Sequence, residues 1–210
     1  MFEKKIRFTC IDPNFVDIWP HPKPATKFIT DAYKKLERYS GGNLLKGTVK
    51  TCMPFLDSMT AGYIIPFDQD YLIDAVENDF VVIPSTKKEE DTGEHPNTQL
   101  PTEWHKGAGE KAGKFINKWL IETPPGYSCL FIHPMNRVEE HFPFILKEWN
   151  KQTLLKKGDP MVQVVPFKRE SWKMWSGFTF EKEHSKTLNR LNSEWSDRYK
   201  KYWWKKKGFK

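Results

Sequence analysis

The chain has 210 residues, 38% hydrophobic and 29% charged, with 15 Phe, 9 Trp, 7 Tyr and a net charge of +7. This excludes a disordered chain and allows one large domain with a buried core. No run of about 18 apolar residues occurs and the first residues lack the apolar block of a secretory signal, so no membrane span or export is expected.

Taken in order, Phe2, Ile6 and Phe8 alternate with Lys4, Lys5 and Arg7, which predicts a first strand ending at Cys10. The prolines of Trp19-Pro-His-Pro-Lys-Pro24 predict an extended connection. Ala25, Phe28, Ile29, Ala32, Tyr33 and Leu36 fall at helical spacing and predict an N-terminal helix over 25–39, stopped by Ser40-Gly-Gly-Asn43.

Six short apolar runs then end in proline, at Pro54, Pro66, Pro84, Pro124, Pro134 and Pro166. Proline lacks the amide hydrogen that a central ladder needs, so each run reads as a strand leaving its sheet. Asp57 and Thr60, in Phe55-Leu-Asp-Ser-Met-Thr60, read as turn and helix-cap residues. The stretch 85–113 is rich in Lys, Glu, Thr, Gly and Pro and predicts a long surface loop. Its Gly107, Gly109 and Gly113 lack the spacing of a phosphate-binding loop, and no cofactor is expected.

Pro124-Pro-Gly-Tyr127 and Lys157-Gly-Asp159 predict tight turns feeding strands. Leu188, Leu191, Trp195, Tyr199, Tyr202 and Trp203 form an apolar stripe, predicting an amphipathic C-terminal helix over about 183–205. Together these elements predict a mainly-β chain. Its core over 1–180 would be a β-sandwich, a jelly roll or a β-clip-like fold, with a C-terminal helix and tail over 181–210. Cys10, Cys52 and Cys129 are odd in number and widely spaced, fitting a reducing compartment and small buried side chains.

The motifs Cys52-Met-Pro-Phe-Leu-Asp-Ser-Met-Thr-Ala-Gly-Tyr-Ile-Ile-Pro66, Ile121 to Arg137 and Gly158 to Glu170 resemble an uncharacterised family of tailed bacteriophages and some bacteria. That resemblance implies a phage accessory or virion protein, in the cytoplasm of an infected bacterial host or in the particle. A shorter similarity, through Pro125-Gly-Tyr127 and Lys157-Gly-Asp159 to Gln163, is to the trimeric dUTPase and dCTP deaminase group. It implies a β-clip architecture; the group's phosphate motif and catalytic hairpin have no counterpart here.

Three functional readings follow. In the first, a non-enzymatic module binds an anionic ligand, a nucleotide or nucleic acid. His133, Asn136, Arg137, Lys168 and Arg169 follow core strands, and if those strands run the same way they gather at one rim to hold phosphate. In the same reading, Trp203, Trp204, Lys205, Lys206 and Lys207 offer rings for bases and charge for phosphates, in a tail from Ser196 to Lys210 that holds most of the net charge. The second reading is a virion assembly protein whose aromatic helix is a subunit contact, making a homo-oligomer. The third is a nucleotide-processing or metal-dependent enzyme with Glu122, His133 and His141 as candidates, although no recognised ligand spacing is present and no metal is assigned.

Overall fold

A computed structural model describes residues 5–76, 79–86, 92–95, 112–134, 152–177 and 204–209, together with Lys182, Ser185, Lys186, Asn189, Lys200 and Lys201. The class is mainly β, with antiparallel pairing in every strand pair that has four or more residues on each side. Among the described residues no helix is long and apolar enough to cross a membrane. The chain divides into two interleaved units, one of Met1–Lys23 with Gly62–Lys168 and one of Pro24–Ala61 with Arg169–Lys210.

The first unit contains nearly all the strands. β1 (Arg7–Cys10) enters first, and a two-residue strand β2 (Lys23–Pro24) lies where the chain passes into the second unit. β3 (Tyr63–Pro66), β4 (Tyr71–Val76), β5 (Asp79–Pro84), β6 (Thr92–His95) and β7 (Ala112–Phe115) follow. β8 (Trp119–Glu122), β9 (Tyr127–Ile132), β10 (Gln152–Leu155) and β11 (Pro160–Lys168) complete the set. They form four sheets, ordered β1-β8, β10-β4-β5, β2-β3-β11-β9 and β6-β7.

Two apolar clusters stabilise this unit. Ile65, Trp119, Val162 and Val164 form one, with Phe8 and Ile121 against it. Phe67, Tyr71, Ile73 and Leu155 form the other, and Met161 of β11 packs against both. Burying such side chains contributes about 1.5–3 kcal/mol each, so sequence-distant strands are drawn together by their inward faces.

Both expected turns are present. Tyr127 N–H donates to Pro124 O at 3.1 Å with Gly126 at φ 79°, and Asp159 N–H donates to Lys156 O at 3.0 Å with Gly158 at φ 89°. Only glycine enters that region without strain, which is why each turn carries one. Gly62 is more tightly constrained. Its φ is 69°, and a Cβ there would run into the Val164 carbonyl oxygen of β11.

Four expectations change. The run ending at Pro54 is helical: a 3-10 turn (Val49–Thr51) leads into a helix, α2 (Met53–Thr60). Proline in a first helical turn loses no bond, so Pro54 starts this helix instead of ending a strand. The helix expected over 25–39 is a 3-10 turn (Ala25–Phe28) followed by a short helix, α1 (Asp31–Lys35). Thr30 breaks it by turning extended and accepting the Tyr33 N–H at 3.2 Å, the geometry of an N-cap. The expected loop 85–113 includes β6 and the first residues of β7, whose Phe115 meets Phe67 and Tyr71 at ring distances of 5.1 and 4.9 Å. The cysteines are less buried than expected, Cys52 being exposed and the other two half-buried.

Candidate nucleic-acid interface

Among its described residues the second unit is held mainly by polar contacts. Ala25, Met53 and Met59 are its described buried apolar residues, and the Tyr33 and Phe55 rings lie 6.2 Å apart. Lys50 Nζ donates to Lys34 O and Leu36 O at 2.7 and 3.0 Å, satisfying carbonyls at the end of α1. Thr48 Oγ1 donates to Glu37 O at 2.6 Å, and Ser40 N–H to Lys46 O at 2.9 Å. Burial and the neighbouring Cys52 push the Tyr33 hydroxyl above the usual tyrosine range, while Arg38 opposes them.

Asp57, inside α2, is neither a turn nor a cap. Its Oδ1 accepts the Trp204 indole N–H at 2.9 Å, and its Oδ2 accepts Lys207 Nζ at 2.6 Å. One carboxylate thereby anchors the C-terminal tail to its own unit. Lys205 and Lys206 stay exposed, and Trp203 lies outside the described residues. Of the helix expected over 183–205, the described Ser185, Lys186, Asn189, Lys200 and Lys201 are helical and exposed, as its polar face requires; the apolar stripe lies outside the described residues.

The electrostatic division is sharp. The second unit contains eighteen Lys and Arg against eight Asp and Glu, a net +10, whereas the first contains sixteen against nineteen, a net −3. The whole cationic excess therefore belongs to one unit. In that unit the segment from Arg169 to Gly177 has no helix or strand, and Trp172, Met174 and Trp175 are 85%, 91% and 78% exposed. Lys173 between them is exposed too.

The rim expected at the strand exits does not assemble among its described members. β9 and β11 are antiparallel, with Gln163 opposite Ile132 and Lys168 opposite Tyr127. His133 and Lys168 therefore leave opposite ends of the pair, five residues or about 17 Å apart along β11. Asn136 and Arg137 lie outside the described residues, and Arg169 falls in the second unit, exposed. His141 also lies outside them, and among the described residues no three His, Cys, Asp or Glu side chains converge as a metal set.

Trp172 and Trp175 were visible in the sequence only as the start of the C-terminal part. Their interleaving with Lys173 is the same signal as in the tail, compressed into four residues. Searches of protein-family models, curated proteins and solved structures give no match to this chain.

Proposed function

We propose that this protein is a non-enzymatic single-stranded nucleic-acid-binding accessory protein, with the second unit as the binding element. The observation that carries the reading is the +10 charge of that unit beside a −3 first unit. Phosphate contacts supply affinity through counterion release, and exposed rings add stacking that only unpaired bases accept. Trp172 and Trp175 are the stacking residues, while Lys173, Lys205 and Lys206 meet phosphates. Trp204 and Lys207 act indirectly, by fixing the tail to Asp57.

A fluorescein-labelled oligothymidylate and a duplex of equal length test this by anisotropy at low salt. The single strand binds more tightly, and Trp172→Ala with Trp175→Ala weakens it at least about tenfold. Equal affinity for the duplex, or an unchanged double variant, overturns the reading. On the resemblance to the phage family, the protein acts in an infected bacterial cell, and the sandwich or β-clip core carries the basic unit. Met174, 91% exposed between the two indoles, favours a second reading, a subunit contact in the particle. Recovery of the chain in fixed ratio from purified virions supports that reading.

A further inference from the structure

The first unit contains an open depression of about 280 Å³. One wall is apolar. Asp12 accepts the Asn14 N–H at 3.0 Å and starts a 3-10 turn (Pro13–Phe15), and the turn brings Phe15 flat against Trp19 at a ring distance of 4.8 Å and 11°. Ile18 extends this wall, and Lys118 Nζ lies 5.9 Å from the Trp19 ring centre.

The facing wall is polar and built from three separate connections. The β3–β4 connection supplies Asp68 and Asp70, the exit of β5 supplies Thr86, and the β10–β11 turn supplies Lys157. Buried Gln69 ties them together, its Oε1 accepting the Thr86 N–H at 2.8 Å and the Thr86 hydroxyl at 2.5 Å. Asp68 Oδ1 accepts the Tyr71 hydroxyl at 2.7 Å, and Asp70 Oδ1 accepts the Lys157 N–H at 2.6 Å. Each carboxylate is thus oriented through one oxygen, and among the described residues no donor meets either Oδ2.

We infer that this depression binds a neutral, polyhydroxylated ring: a saccharide residue or the ribose of a nucleoside. Two aspartates and one lysine line it, which disfavours a multiply charged anion. A hydroxyl suits them all, donating to Asp68 and Asp70 and accepting from Lys157. The C–H face of such a ring packs on the Phe15, Ile18 and Trp19 wall, an apolar surface with a few placed polar groups opposite. The inference is independent of the nucleic-acid reading, because it uses no residue of the second unit.

Saturation-transfer NMR on the full chain tests it, with methyl glucoside, adenosine and adenine as probes. Transfer to the ring protons of methyl glucoside or to the ribose protons of adenosine is expected, and the stronger of the two identifies the source. Asp68→Asn and Asp70→Asn each keep an acceptor for the Tyr71 or Lys157 donor, so the fold is retained, but each weakens binding about tenfold. Adenine binding as well as adenosine in a protein that also carries Trp172→Ala and Trp175→Ala, no transfer to any probe, or transfer unaltered in both variants overturns the inference. Oligothymidylate affinity stays unchanged in these variants, and Trp172→Ala with Trp175→Ala leaves the transfer to methyl glucoside unchanged.

Discussion

The two units solve the problem of holding a shape in different ways. The first buries two apolar clusters from sequence-distant strands and has a net charge of −3; the described residues of the second show short helical turns, two buried methionines and side-chain-to-backbone bonds, and its net charge is +10. Self-repulsion of that size opposes compaction, and the lysines that cause it are useful only if an anion offsets them. A carboxylate inside α2 offsets part of it, where Asp57 meets Lys207 and Trp204. The acidic unit fits a different ligand, one that needs oriented acceptors instead of charge.

Substitutions can widen or close this contrast. The largest effect is expected in the strand-rich unit. Gly62→Ala forces a Cβ into the Val164 carbonyl at a left-handed φ, costing about 3 kcal/mol or more by urea unfolding. A loss well below that would show that β3 and β11 can part cheaply.

In the basic unit single contacts matter less. Asp57→Ala removes the acceptor of both Trp204 and Lys207 and costs about 1 kcal/mol, discounted because Lys207 is largely exposed. Limited proteolysis should then cut the tail near Trp204 sooner, and a cleavage rate equal to that of the parent would show that the tail is held by something else. Lys50→Met unsatisfies two carbonyls at the end of α1 and costs about 1 kcal/mol, measured in the same unfolding assay.

The smallest effects are chemical. Cys52 is exposed, whereas burial pushes the half-buried Cys129 thiol up, so a thiol reagent near neutral pH modifies Cys52 first. Burial likewise raises Tyr33 and Tyr63 above the ordinary value of 10. The unfolded chain then loses these protons first, so stability is full below pH 10 and declines as pH rises through the raised folded values. Stability flat across that alkaline range would contradict their burial.

How much of this was legible in the sequence depended on how local its cause was. Gly126 and Gly158 announce their turns because a type II turn needs φ above zero at one position, and neighbouring residues suffice to say so. Five of the six proline-ended runs are strands, since an alternating or apolar stretch beside a breaker is also local. The sixth misleads because proline suits a strand end and a helix start equally, and only the Met53 and Met59 burial decides between them. β4, β10 and the β6–β7 pair were not anticipated. Their pairings depend on partners tens of residues away, such as Gln152 opposite Asp74.

The sites follow the same rule. The basic tail was readable as composition, but its anchor at Asp57 lies about 150 residues away in the chain and leaves no trace in spacing. The rim around His133 and Lys168 rested on strands running the same way, and an antiparallel register removes it. The depression at Phe15, Asp68, Asp70 and Lys157 draws on three distant connections and could be seen only once they were brought together.

Binding of unpaired nucleic acid by the second unit, through lysines and exposed indoles, is the proposed function. Its most direct test is the salt dependence of oligothymidylate affinity, measured for the parent and for Lys173→Gln with Lys205→Gln and Lys206→Gln. Removing three phosphate contacts from a single strand should reduce the slope of log affinity against log salt by about two, with the thermal midpoint unchanged. The same slope in both proteins would contradict the account.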